Sequence, residues 1–297
     1  MRNRNDLRNK KLPFWVTATA VAGTFGILLA LEIRCPLRRQ QENKLRRGAR
    51  NFAVAGTAAM ALSLTEMPVA EKLTRLVERR EIGLLKIVKI PVWLETVFAV
   101  LLLDYTFYLW HVLTHKTPFL WRFHLAHHVD LEMDASTAFR FHAGEMTIST
   151  VFRAAQILAI GVSPLAFSVW QTLMLPSVLF HHSNVRLPEN IEKFLGLIIV
   201  TPRIHDIHHR AVRDKTDSNW ASGLSFWDRL HNTWRDDFDD CAEPIGIANY
   251  QKPEELTLTK VLALPFGKER DAWVLQVRDG EQFEGKFQDI PARFSQP

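Results

Sequence analysis

The sequence predicts an all-α fold: an integral membrane helical bundle of about four to five spans, with a cytoplasmic, histidine-lined metal-binding cap and a short soluble tail. Three observations carry this expectation. The 297-residue chain averages like a soluble protein, at 47% hydrophobic and 23% charged, yet its apolar residues are blocked into long charge-poor runs. A strongly basic stretch separates the first two runs. All twelve histidines lie between His111 and His231.

Taken in order, residues 14–31, FWVTATAVAGTFGILLAL, carry no charge and approach the roughly 20 apolar residues that span a bilayer. Arg2, Arg4, Arg8, Lys10 and Lys11 precede them, as they would precede a signal peptide. The apolar core is longer than a usual h-region and no A-x-A site follows, so an uncleaved span is expected. Residues 52–65, FAVAGTAAMALSLT, make a second span by borrowing flanking positions. Residues 91–110, PVWLETVFAVLLLDYTFYLW, make a third, which carries Glu95 and Asp104. Residues 147–180 hold a single charge, Arg153. One helix of that length would run ~50 Å against a hydrocarbon core of ~30 Å. Two helices turning at Gly161-Val-Ser-Pro164 are expected instead, crossing or dipping into the membrane twice.

Charge placement gives an orientation. Loop 34–50 carries Arg34, Arg38, Arg39, Lys44, Arg46, Arg47 and Arg50 against Glu42, outweighing the five basic residues of the amino-terminal tail. The positive-inside rule therefore puts this loop in the cytoplasm. The third span returns His111 to the same face, and the 147–180 hairpin starts and ends there. A multi-pass protein, of the inner membrane if bacterial, is expected, with a membrane anchor region at 1–90, a histidine-bearing domain at 91–240 and a soluble tail at 241–297. In the tail, Asp279-Gly280 between VLQV and QFEG suits a short hairpin. Cys35 and Cys241, the only cysteines, give no disulfide framework and no thiolate metal site. Nucleic acid is not an expected partner.

The histidines fall into motifs: His111 and His115 in HVLTH; His124, His127 and His128 in HLAHH; His142 in FRFHAGE; His181 and His182 in LFHHSN; His205, His208 and His209 in HDIHH; and His231. On a helix, positions i, i+3 and i+4 fall within an arc of roughly 100°, so the rings of each motif share a face. A stripe of imidazoles fills a core poorly, because every ring has a nitrogen and an N–H that need partners. Neutral imidazole is a common ligand for zinc, iron, copper and nickel. Eight histidines in HxxxH, HxxHH and HxxHH exceed what one tetrahedral zinc uses, and the count points to two metals. His142 and His231 stand alone and read as hydrogen-bonded or exposed residues. Asp130, Asp206, Asp228 and Asn184 are candidates for fixing the tautomers of metal-bound rings, or equally solvated surface.

The segments DYTFYLWHVLTH, WRFHLAHH, FHHSNVRLP, TPRIHDIHHR and FWDRL closely resemble the fatty acid hydroxylase and sterol desaturase superfamily of integral membrane di-iron oxygenases, over residues 95–235. The resemblance implies that 91–240 is a catalytic domain with a cytoplasm-facing pair of iron ions (Fe2+/Fe3+), with zinc as an occupant in isolated protein. It implies O2-dependent hydroxylation or desaturation of a lipid such as a sterol or fatty acyl chain. Motif matching carries catalytic metal-ligand roles to His111, His115, His124, His127, His128, His205, His208 and His209. His182 joins them as a metal ligand because the family histidine directly precedes a Ser/Ala-Asn pair, with His181 held in reserve. One departure is local: where the family tends to WDRLFGTY, this chain reads WDRLHNTW, so His231 and Asn232 replace a Phe-Gly pair.

Breaking an unactivated alkyl C–H bond needs a strong metal-based oxidant, which redox-inert zinc does not supply. Hydroxylation places one oxygen in the lipid and the other in water, consuming two external electrons. The chain has no GxGxxG after a strand, no CxxCH and no cysteine set. An external electron-transfer protein is therefore the expected partner besides lipid and bilayer, with Arg203, Arg210 and Arg213 available to meet it or lipid phosphates. Two other readings stay open: a membrane zinc hydrolase, against which the lack of an HExxH glutamate counts, and a non-catalytic metal-binding membrane protein.

Overall fold

The computed structural model describes residues 7–236, 243–268, 270–273, 275–276 and 282–283. In chain order its helices are α1 (Phe14–Arg34), α2 (Lys44–Leu64), α3 (Glu66–Arg80), α4 (Val92–Lys116), α5 (Pro118–His128), α6 (Ala143–Ile160), α7 (Pro164–His182), α8 (Glu189–Gly196), α9 (Pro202–His208), α10 (Arg213–Thr216), α11 (Phe226–Leu230) and α12 (Leu258–Ala263). Two-residue strands, β1 (Leu275–Gln276) and β2 (Gln282–Phe283), pair antiparallel as the hairpin reading expects. The Asp279-Gly280 turn itself, like Cys241, lies outside the described residues.

Among the described residues, three helical stretches are long and apolar enough to cross a membrane: α1, the stretch Lys44–Lys86 that contains α2 and α3, and α4. The second differs from the expected 52–65. The Asn43 side chain accepts from Arg46 N at 3.0 Å and starts the helix at Lys44. Beyond Thr65 the chain resumes as α3, because Ala70, Thr74 and Val77 keep a buried face at helical spacing. The third also runs further than expected, to Lys116, so that His111 and His115 occupy its last turns.

The two-helix reading of 147–180 matches α6 and α7. Gly161 closes α6 with φ 85°, the left-handed conformation that glycine adopts without strain. Its backbone meets that of Gly83 so closely that a Cβ on either residue would collide. Ser163 then caps α7, accepting from Ala166 N at 3.1 Å, and Pro164 opens it.

Each charge in the apolar runs has a partner. Glu95 pairs with Arg8 and Lys86. Asp104 accepts from Trp227 Nε1 at 2.7 Å and Leu224 N at 3.1 Å. Arg153 donates to Glu66 at 3.1 Å and lies over the Trp170 ring at 4.4 Å. Around them pack Ala99 and Leu103 of α4, Ile157 and Ile160 of α6, and Phe167, Trp170 and Met174 of α7.

A second core sits under the cap, where Leu125, Ala126 and Val129 meet Ile247, Tyr250, Leu256, Val261 and Ala272. Much of the expected tail is thus packed onto α5, since its apolar residues recur closely enough to cover that face. Beside this core Arg47, fully buried, donates to Asp130 at 2.8 Å, the Glu132 carbonyl at 2.6 Å and Thr137 at 2.7 Å, and also pairs with Asp134. Arg140 donates to Asn51 at 2.7 Å and to the Ala126 carbonyl at 2.8 Å. These bonds tie α2 to the helix that carries HLAHH.

Candidate metal centre

Ten histidines converge where the last turns of α4, all of α5, the end of α7 and α9 meet. Two groups stand out, each with its four imidazole nitrogens within 4.8 Å of one another: His111, His115, His128 and His208; and His127, His182, His205 and His209. Each group takes an i, i+4 pair from one helical segment, 111/115 or 205/209, and single rings from two others. The rings of one HxxHH motif face one space but divide between the groups. Consecutive residues such as His127 and His128 point about 100° apart on a helix, and the two enter different groups.

The tautomers are set mainly by backbone. Nδ1–H donates to the Trp220 carbonyl from His111 at 2.7 Å, to the Ser218 carbonyl from His208 at 2.7 Å and to the Val178 carbonyl from His182 at 2.8 Å. Each of these rings must then present a bare lone pair at Nε2. In the first group, Nε2 of His111, His115, His128 and His208 has no partner although buried. In the second, Nε2 of His182 lies 3.1 Å from Nε2 of both His127 and His205, and Nε2 of His205 lies 3.2 Å from that of His209. Lone pairs crowded in a dry space repel unless a cation sits among them, and each unsatisfied buried acceptor costs about 1–3 kcal/mol. Burial drives His127, His128, His205 and His209 well below the ordinary imidazole pKa and lowers His208 to about 3, so the rings are in the neutral form that binds metal. The donor set therefore fits two metal ions held mostly by nitrogen.

His124 belongs to neither group. Its ring centroid lies 5.2, 5.0 and 4.9 Å from those of His111, His115 and His128 in the first group, and 5.3 Å from that of His127 in the second. Its Nδ1 is 3.0 Å from Glu145 Oε1 and its buried Nε2 has no partner. His181 also stays outside, donating from Nδ1 to the Ser222 carbonyl at 3.0 Å, with Nε2 buried and unpartnered. His142 and His231 are not gathered in. His142 accepts from Gly144 N at 2.9 Å to cap α6 and donates to the Leu262 carbonyl at 3.1 Å. His231 is exposed and stacks on Tyr108 at 5.1 Å and Tyr105 at 5.7 Å.

The expected tautomer-fixing group needs correction. Asp130, Asp206, Asp228 and Asn184 are all buried, yet none bonds a histidine ring. They act one step further out, because arginines and backbone N–H groups claim their oxygens. Asp130 holds Arg47, and Asp206 pairs with Arg38 and Arg210. The Asn184 side chain accepts from Arg38 N and donates to its carbonyl, both at 2.8 Å. Asp228 accepts from Trp220 N at 2.9 Å and Ala221 N at 3.0 Å, fixing the peptide whose carbonyl receives His111. The ring partner that sequence reasoning missed is Glu145, three residues past His142 in FRFHAGE. Two aromatic walls were also missed: Phe141 stacks on His127 at 4.6 Å, and Trp121 lies 5.0 Å from His115. The WDRLHNTW departure is structurally mild. His231 stacks as a Phe would, and Asn232 has φ 57°, a left-handed position that glycine or asparagine fills.

The profile of the fatty acid hydroxylase family matches residues 96–233. The chain is 30% identical over 161 residues to an ornithine lipid hydroxylase of Rhizobium tropici, covering 53% of this chain and 46% of that protein. It is 30% identical over 145 residues to a cholesterol 25-hydroxylase-like protein of Danio rerio, covering 48% and 55%. It is 29% identical over 136 residues to the alkylglycerol monooxygenase of Homo sapiens, covering 46% and 29%. The chain thus spans about half the length of the first two relatives and less of the third. No solved structure matches it.

Proposed function

We propose that this chain, whose residues 96–233 match the fatty acid hydroxylase family, is a multi-pass membrane lipid oxygenase, a hydroxylase rather than a desaturase, that holds two iron ions in its histidine groups. The observation that carries the reading is the pair of adjacent four-nitrogen groups, buried and neutral, whose lone pairs are turned on a shared space by backbone carbonyls. The names of the relatives, hydroxylases and a monooxygenase of lipids, favour oxygen insertion.

The overall change is RH + O2 + 2 e− + 2 H+ giving ROH and water. Bound iron ions supply the redox change that imidazole lacks, and with it the capacity to activate O2 against a C–H bond. The chain's own residues do the rest. His111, His115, His128 and His208 hold one position; His127, His182, His205 and His209 hold the other. His124, oriented by Glu145, presents a further nitrogen beside the first. Phe141 and Trp121 keep water from the rings they cover. Arg47, Arg140 and Asp228 keep the supporting backbone in place. Electrons come from a separate electron-transfer protein. The basic loop 34–50 supports a cytoplasmic metal face, which a lipid tail would approach from the bilayer.

Lipid profiling of cells with and without the gene tests this, grown under heavy-isotope O2. A lipid that appears only with the protein and carries one labelled oxygen supports it. Label entering from water instead, or an unchanged lipid set, contradicts it.

A further inference from the structure

Two short helices of the cap are inside out. In α8 the acid Glu192 is 3% exposed and bonds Thr201, while Ile191, Phe194 and, just past its end, Leu197 and Ile198 are 48–64% exposed. In α11 Asp228 is fully buried, while Phe226 and Leu230 are 51% and 54% exposed. A helix in water arranges itself the other way, with apolar residues inward and acids outward. The two helices form one surface. Gly196 O accepts from Ser225 Oγ and from Arg229, both at 2.8 Å, and Ile198 O accepts from Ser225 N at 3.2 Å.

Their height relative to the bundle is fixed by α4. Trp227 Nε1 and Leu224 N both donate to Asp104, which lies mid-way along the apolar helix Val92–Lys116. Asp104 precedes His111 by two helical turns, about 10 Å along the axis. The α8–α11 surface is thus anchored alongside a candidate membrane span, on the bilayer side of the histidine centre. Arg186, just before α8, and Lys193, within it and paired with Glu189 at 2.6 Å, are both exposed and suit lipid phosphates.

We propose that the α8–α11 surface is a membrane-inserted foot: Ile191, Phe194, Leu197, Ile198, Phe226 and Leu230 sit among the acyl chains of the leaflet beside α4. The occupant is the bilayer itself, because the patch continues the apolar flank of a spanning helix and turns Glu192 and Asp228 away from lipid, leaving only Glu189, paired with Lys193, exposed at the start of α8. The foot would seat the histidine centre at the height where a lipid chain leaves the bilayer.

The test uses full-length protein in phosphatidylcholine–phosphatidylglycerol vesicles, with Cys35 and Cys241 replaced by serine. Single cysteines from Phe194→Cys and Leu230→Cys, and Lys252→Cys as the exposed polar control, are labelled with a small fluorophore. Labels at 194 and 230 should be quenched several-fold more than the control by nitroxide-bearing lipid, and several-fold less by aqueous iodide. Iodide quenching equal to that of the control overturns the proposal. So does label-to-label coupling without lipid quenching, which would assign the patch to a second copy of the chain. Should either variant fail to fold, Ile191→Cys and Phe226→Cys give the same readout. The measurement is independent of turnover, so an inactive oxygenase leaves it intact.

Discussion

Glu145 Oε1 lies 3.0 Å from Nδ1 of His124, the one carboxylate hydrogen-bonded to an imidazole among the described residues of the histidine centre. Both side chains are buried. A carboxylate behind a ring fixes its tautomer and makes its far nitrogen a better donor. Glu145→Ala should therefore lower metal affinity or turnover about 10–100-fold, the usual range for such partners. Glu145→Gln, which still accepts a hydrogen bond, should lose less. Metal per chain across a chelator titration checks this; an unchanged curve for Glu145→Ala would show that the contact is idle.

His127→Ala and His208→Ala should each abolish oxygenation while leaving a folded, membrane-bound protein, since one ring is lost from a set of eight. His142→Ala removes only a helix cap and one further bond, at a cost of about 1 kcal/mol, and His231→Ala removes an exposed stack. Both should stay active. Equal losses at all four positions would mean that the two groups have no special role.

The histidine motifs and the apolar runs were legible because both are local: spacing along a helix puts 111/115 and 205/209 together without knowledge of the rest of the chain. The division into two groups was not. It depends on His127 and His128 diverging around α5 and on carbonyls of Val178, Ser218 and Trp220, which no side-chain pattern marks. Glu145 sat in plain view beside His142, but only the packing of α6 against α5 brings it to His124. The inversion of α8 leaves no mark in ENIEKFLG, because only the packing shows that Glu192 points inward.

Stability of the metal-free protein should fall as pH falls. A histidine whose folded pKa lies below its unfolded value near 6.5 takes up a proton only on unfolding, so its contribution is complete above ~6.5 and is lost toward its folded value. For His208 that value is about 3. Each such ring removes about 1.4 kcal/mol per pH unit in this window. Asp228, raised by burial to about 6 from 3.8, works the other way, its contribution being lost as pH rises through 6. Glu192 is raised by burial in the same sense, and at least five histidines outweigh these acids to decide the sign. Unfolding of chelated protein at about pH 7.5 and about pH 5.5 checks it; greater stability at the lower pH would contradict it.

Arg47→Met should destabilise the fold by about 3–5 kcal/mol, because it strands buried Asp134 without an ion pair and leaves Asp130 only the more distant Arg50 at 3.6 Å and Arg140 at 3.9 Å. Detergent-solubilised protein should show the loss as a lowered thermal midpoint. A change within the scatter of surface substitutions would mean that water reaches these acids.

The central claim is that the histidine centre holds two redox-active metals used on a lipid with O2. The most direct measurement is metal content together with turnover of anaerobically purified protein, loaded separately with iron and zinc and supplied with a reductase system. Imidazole sites bind zinc more tightly than ferrous iron on the usual order, so occupancy alone decides nothing. About two iron per chain with turnover that needs both O2 and reductant, and a folded but inert zinc form, is the predicted result. Full turnover by the zinc-loaded protein without reductant would contradict the oxygenase account and favour a hydrolase.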